Sequence, residues 1–119
     1  MSVAPLGLII PNWPAPSWVR AGSTTRSGGI SNGVFASLNL GDHVGDNPAL
    51  VAENRALLQK LANLPAEPAW LQQVHGTDVL QLSTWQGHVV AADASMSQQV
   101  GQVCLVMTAD CLPALFCCT

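Results

Sequence analysis

One stretch of helical periodicity constrains the fold of this chain more than any other feature of its sequence. Asn47 is a favourable N-cap and Pro48 suits the first position of a helix. Apolar residues then recur at helical spacing until Pro65, which cannot continue a helix. The sequence therefore predicts one clear helix over residues 48–63.

Short apolar segments, separated by glycine and proline, make up much of the remaining chain. Residues 103–108 are the best candidate for a buried strand, because they are apolar and include β-branched side chains. Further strands are predicted over residues 6–10, 19–24, 69–73, 77–82 and 89–92, and another begins at 115–118. About six strands and one helix predict an α+β fold.

The charge and hydropathy of the chain exclude two classes of partner. Its 119 residues include 4 Lys and Arg against 7 Asp and Glu, a net charge of −3, with no basic patch for nucleic acid. The most apolar window, residues 103–118, contains Asp110 and Pro113 and is shorter than the roughly 20 residues that span a bilayer. We therefore expect neither nucleic acid nor a membrane as a partner.

The four cysteines all lie between residues 104 and 118, whereas a secreted disulfide framework spreads its cysteines along the chain. The N-terminus lacks the basic stretch of a secretory signal. Reduced thiols and a cytoplasmic location are therefore expected. Only 9% of the residues are charged, against roughly 25% in an ordinary domain, and residues 111–119 resemble a protein interior. We therefore expect a piece of a longer chain.

His75 and Cys111 are the strongest candidates for chemistry. His75 lies where a predicted strand meets a glycine, and Cys111 follows the predicted buried strand beside Asp110. A thiolate and an imidazole can bind zinc, although a typical catalytic zinc site has three protein ligands. A surface histidine and a structural cysteine remain the alternatives, and the second of these suits Cys104 in mid-strand.

Two loops could bind an anion. Arg26 directly precedes a glycine-rich loop, where a guanidinium and backbone N–H groups can hold a phosphate or an oxyanion. This loop lacks the glycine and lysine spacing of a nucleotide P-loop. His43 lies in a second loop, residues 41–46. A surface arginine and a solvated histidine are the alternative interpretations.

Six short motifs occur in one order along the chain. They are STTRSGG at 23–29, SLNLGDHVGD at 37–46, NR at 54–55, WLQQVHGT at 70–77, ADA at 92–94 and TADCLP at 108–113. Together they resemble the YfiH/laccase-domain family of bacterial purine nucleoside phosphorylases, also called multicopper polyphenol oxidases or peptidoglycan editing factors. The resemblance covers nearly the whole chain, and its specificity comes from the order of the motifs.

The resemblance implies a fold, a metal and a site. The family fold is α+β, with mixed β-sheets and flanking helices, and residues 1–119 would be the N-terminal part of one such domain. His75 and Cys111 match two ligands of the family's catalytic zinc, and the third is a histidine of a later HAGWRG motif that this chain lacks. Copper is less expected than zinc, because three histidines cannot build a multicopper cluster.

The implied substrates are a purine nucleoside and phosphate. The family cleaves adenosine, inosine and methylthioadenosine to the free base and a ribose 1-phosphate, and adenosine deamination accompanies this activity. On charge and loop geometry, Arg26 and His43 are our candidates for binding the phosphate. The resemblance does not indicate which nucleoside is preferred or what the oligomeric state is.

Two alternatives to a zinc-dependent phosphorylase follow from the same residues. In the first, Cys111 is the nucleophile and His75 the base of a hydrolase that acts on a peptidoglycan precursor. In the second, the chain is an inactive fragment, because one of three metal ligands is missing and core surface is exposed.

We predict that the isolated 119-residue chain is poorly soluble and has little activity. Size-exclusion chromatography and an inosine phosphorolysis assay check this prediction. A monodisperse chain that turns over inosine at an ordinary enzymatic rate would contradict it.

Overall fold

The computed structural model describes residues 6–118, in two compact units. The first contains the described residues up to Ala62 together with those from Leu112 onward, and the second runs from Asn63 to Cys111. Among the described residues, no helix has the length and apolarity that a membrane span requires.

The predicted helix is confirmed in the first unit as α1, Pro48–Leu61. The Asn47 side chain accepts a hydrogen bond from the Ala49 N–H at 2.9 Å, so the N-cap forms as the sequence predicts. The helix ends two residues earlier than expected. Asn63 has a φ of 53°, the left-handed conformation that commonly terminates a helix.

The core of the first unit lies under one face of α1. Its buried apolar side chains are Leu38, Val51, Leu58 and Ala62. Asn54 shares this face and is fully buried, with 0% of its surface exposed. Its amide accepts from the Ile30 N–H at 2.8 Å and donates to the Asn39 carbonyl at 2.9 Å. One helical side chain therefore holds two separate loops.

The strands predicted over residues 6–10 and 19–24 are wrong as extended strands. They are reduced to one antiparallel bridge, in which Ile9 and Ser23 exchange hydrogen bonds of 2.8 and 2.9 Å. Pro11 follows one segment directly, and its missing N–H prevents the ladder from continuing regularly.

The second unit contains two short parallel pairs of strands. Strands β1, Leu71–Gln72, and β3, Val90–Ala91, form one pair; β2, Val79–Gln81, and β4, Ala94–Met96, form the other. The first three lie within predicted strands, whereas β4 was not predicted, because Ala-Ser-Met carries no β-branched or aromatic signal. The α+β class is confirmed.

Residues 103–108 were predicted as a buried strand, and this prediction is wrong. The segment forms no strand among the described residues, and Cys104 is exposed instead of buried. Residues 115–118 likewise form no strand. Strand formation depends on a paired neighbour as much as on composition, and the described residues supply none for these segments.

We predict that Asn54→Ala lowers the free energy of unfolding by about 3 kcal/mol, because it leaves buried backbone groups of both loops without their partner. Urea unfolding followed by tryptophan fluorescence, at high dilution to suppress aggregation, measures the change. Glu53→Ala, on the exposed side of the same helix, is the matched control and should change stability by less than about 0.5 kcal/mol. Equal effects of the two substitutions would contradict the role of Asn54.

Candidate active site

His75 lies in a turn between two strands of the second unit. The turn, residues 73–78, connects β1 to β2. In the parallel pairs, β1 lies beside β3 and β2 lies beside β4. His75 has a φ of 57°, in the left-handed region. A residue other than glycine is held there at a cost of order 1 kcal/mol, so neighbouring groups must stabilise the turn.

The Asp93 carboxylate stabilises this turn. Its oxygens accept hydrogen bonds from the backbone N–H groups of Val74 at 3.1 Å, His75 at 2.8 Å and Gly76 at 2.7 Å. The Gly76 bond contributes most to lowering the pKa of Asp93 below its ordinary value, and the other two N–H groups lower it further, against an opposing desolvation. Asp93, which belongs to the ADA motif at 92–94, therefore caps this turn.

Cys111 belongs to the same unit as His75, and both side chains are exposed. The Cys111 Sγ lies 3.8 Å from Oδ1 of Asp110. An imidazole and a thiol are donors that suit zinc. Within residues 6–118, however, no three His, Cys, Asp or Glu side chains are grouped so that they could hold a metal ion. The donors present therefore fit part of a zinc site, and the ligand assignment stays a prediction.

Arg26 lies in the first unit and is tied to its own loop. Its Nε donates to the Ala36 carbonyl at 2.9 Å, and one terminal nitrogen donates to the Val34 carbonyl at 3.3 Å. These bonds fix the plane of an exposed guanidinium that has five N–H donors in all. The other N–H groups of this guanidinium can donate hydrogen bonds to an anion.

His43 is exposed, and its Nδ1 lies 3.8 Å from Oδ1 of Asp42. The same carboxylate oxygen is 3.8 Å from the Arg55 guanidinium, which also donates to the Leu40 carbonyl. Burial lowers the pKa of Arg55, and the charge of Asp42 opposes that shift. Arg55, from α1, therefore places a guanidinium against the loop with His43, and the sequence motif that contains Arg55 gave no indication of this role.

Asp46 closes this loop through an ordered network. Its carboxylate accepts from the Ser31 hydroxyl at 2.6 Å, the Asn47 N–H at 2.8 Å and the Asn39 amide at 3.2 Å. The Asn54 amide donates to the same Ser31 hydroxyl at 2.8 Å. The sequence motifs did not assign this organising role to Asn54. The indication for it was a polar side chain at a position where the helical spacing calls for an apolar one.

The chain belongs to the family described as multi-copper polyphenol oxidoreductase laccase, whose model matches residues 20–119. It is 56% identical over 110 residues to the purine nucleoside phosphorylase YfiH of Escherichia coli, covering 92% of this chain and 45% of that protein. It is 53% identical over 109 residues to a purine nucleoside phosphorylase of Pseudomonas aeruginosa, with coverage of 92% and 43%.

Solved structures show the same likeness. A crystal structure of a Neisseria meningitidis protein of the DUF152 family superposes with a TM-score of 0.80 at 45% identity, covering 87% of this chain and 42% of that one. YlmD from Geobacillus stearothermophilus gives a TM-score of 0.66 at 31% identity, with coverage of 81% and 39%. The chain thus spans less than half the length of these relatives.

We predict that Asp46 makes the stability of the chain depend on pH in the acid range. The Ser31 hydroxyl, above all, lowers the pKa of Asp46 below its ordinary value of 3.8; the Asn39 amide and the Asn47 N–H act in the same direction, and desolvation opposes them. Because the folded pKa is the lower one, the stabilisation is complete above the unfolded pKa and is lost as pH falls through the folded pKa.

Urea unfolding midpoints between about pH 6 and pH 2 test this dependence. Asp46→Asn should be less stable than the parent at pH 6, and the difference should shrink as the pH falls. Glu53→Gln is the control and should follow the parent throughout. A difference between Asp46→Asn and the parent that stays constant with pH would show that the carboxylate charge has no part in the network.

Proposed function

We propose that this chain supplies the N-terminal half of a purine nucleoside phosphorylase site in which His75 and Cys111 are zinc ligands. The observation that carries the proposal is the 56% identity, over 92% of this chain, to a protein named purine nucleoside phosphorylase. The site motifs lie inside the matched region of the family, residues 20–119. A third protein ligand would come from the part of the family domain that this chain does not span.

The proposed reaction is phosphorolysis of a purine nucleoside such as adenosine, inosine or methylthioadenosine. An oxygen of inorganic phosphate bonds to the anomeric carbon of the ribose, and the bond from that carbon to the purine nitrogen breaks. The bonding electrons stay with the purine, which takes up a proton and leaves as the free base. The sugar product is ribose 1-phosphate, or its 5-methylthio derivative from methylthioadenosine, and no oxidant or reductant is needed.

Arg26 and His43 are the proposed phosphate ligands. The guanidinium of Arg26 already has its plane fixed by two loop carbonyls, which suits directional bonds to a phosphate oxygen. His43 would donate a further hydrogen bond, and the Arg55 guanidinium adds positive charge to the same loop region. Preorganised guanidinium groups of this kind stabilise a bound phosphate dianion.

Zinc, when bound, supplies Lewis acidity toward a purine or an attacking water, which also suits adenosine deamination as a side activity. The residues of this chain would hold the metal through one imidazole nitrogen and one thiolate. We also propose a cytoplasmic location, which free thiols at all four cysteines support.

The hydrolase alternative has no specific support in the geometry. A cysteine nucleophile needs a base, usually an imidazole, within hydrogen-bond reach. The hydrogen-bond partner of the Cys111 thiol is the neighbouring Asp110 carboxylate. Among the described residues, the Cys111 thiol therefore forms no thiol–imidazole pair of the kind that this alternative requires.

A chimera tests the proposed function: residues 6–118 replace the matching segment of the Escherichia coli relative, so that the rest of the domain is present. We predict about one zinc per chain and phosphate-dependent release of hypoxanthine from inosine. Cys111→Ala and His75→Ala should each remove the zinc and lower kcat/KM by at least about 100-fold.

Matched controls come from the same chain. Cys104→Ala and His88→Ala delete the same groups at exposed positions outside the proposed site and should keep both zinc and activity. Full activity in Cys111→Ala would contradict the ligand assignment. Hydrolysis without metal that a thiol reagent blocks would instead establish the cysteine hydrolase.

A further inference from the structure

Asp93 occupies a particular place in the second unit. The two parallel pairs are in register on either side of it: Gln72 pairs with Ala91, and Val79 pairs with Ala94. Between these two pairings, the segment from β1 to β2 contains the six residues 73–78. The segment from β3 to β4 spans the same distance with only the two residues 92–93. The longer side must therefore bulge out, and His75 lies in that bulge.

The backbone beneath Asp93 is fixed on both sides. The Ala92 N–H donates to the Gln72 carbonyl at 3.1 Å, and the Asp93 N–H donates to the Asp78 carbonyl at 3.1 Å. These two bonds join the short side of the ladder to both ends of the bulge. The Asp93 carboxylate thus reaches the bulge from an anchored position.

Three successive N–H groups of the bulge converge on this carboxylate, with one oxygen accepting from Val74 and His75 and the other from Gly76. Convergence of this kind requires a left-handed residue within the run, and His75 is that residue. The direction of the Cα–Cβ bond of His75 follows from its φ angle. If the backbone relaxed to a negative φ at His75, the imidazole would point in a different direction.

We propose that Asp93 is a positioning residue, which sets the direction of the His75 imidazole by holding the backbone of residues 74–76. The proposal rests on the proposed function only in taking His75 as a metal ligand. Asp93 acts through the backbone of a ligand, whereas an outer carboxylate usually acts on the second nitrogen of the imidazole ring.

The first test is hydrogen–deuterium exchange of the full 119-residue chain, at high dilution to suppress aggregation, read at single amides by mass spectrometry. In the parent chain, the amides of Val74, His75 and Gly76 should exchange at least about tenfold more slowly than their intrinsic rates, although all three residues are exposed. Asp93→Asn keeps the size of the side chain but replaces one acceptor oxygen by an NH₂ donor, and should remove this protection. Asp78→Asn makes the same change at an exposed aspartate of this unit and should leave it intact.

The second test measures zinc affinity in the chimera by competition with a chromophoric chelator. Asp93→Asn should weaken zinc binding about tenfold, together with a small fall in the urea unfolding midpoint from the weakened N–H bonds. A merely structural role would lower the midpoint and leave affinity unchanged, and that result would overturn the proposal. Unprotected amides in the parent chain would overturn it without any substitution.

The two proposals fail in different ways. If the parent chimera binds no zinc, or binds it equally well after His75→Ala, the proposed function fails. The exchange rates then decide the role of Asp93: acceleration confined to residues 74–76 in Asp93→Asn supports it, and unchanged rates overturn it. If zinc binding depends on His75 but Asp93→Asn binds zinc normally, the positioning role alone fails.

Discussion

The fold of this chain depends on hydrogen-bond acceptors for the backbone N–H groups that lie outside helices and strands. Its strands are only two or three residues long, and α1 is its single α-helix among the described residues. Most loop amides therefore have no ladder to join, and an unpaired buried amide costs about as much as a lost hydrogen bond. Side chains supply acceptors instead: Asn54 does so for the partly buried Ile30 amide in the first unit, and Asp93 for three amides of an exposed turn in the second.

This solution links the fold to the proposed chemistry. The loops with Arg26 and His43 are held by the network that joins Asn54, Ser31 and Asp46. The turn with His75 is held by Asp93. In each case a polar side chain from a helix or from the edge of a strand pair fixes a loop that carries a candidate site residue. Rigid support of this kind is what a metal or phosphate site requires.

The sequence predicts best where structure depends on local chemistry. Asn47 and Pro48 define the start of α1 within the chain itself, so the prediction there is confirmed. His75 was expected where a strand meets a glycine, and it lies in the turn that follows β1. The motifs identified the family correctly because their order along the chain is specific to it.

The failed predictions depend on distant partners. Residues 103–108 have the composition of a buried strand, but pairing decides whether such a segment becomes one. The bridge between Ile9 and Ser23 shows the same limit, since two suitable segments meet at a single pair. Asp93 could not be assigned from sequence, because its role arises from the register of two strand pairs. No local pattern encodes that register.

Zinc K-edge X-ray absorption of the zinc-loaded chimera tests most directly whether Cys111 and His75 bind one zinc ion together, as we propose. We expect one sulfur neighbour at about 2.3 Å with nitrogen and oxygen neighbours at about 2.0–2.1 Å. The sulfur neighbour should disappear in Cys111→Ala and persist in Cys104→Ala. A first shell of nitrogen and oxygen alone in the parent protein would contradict the claim.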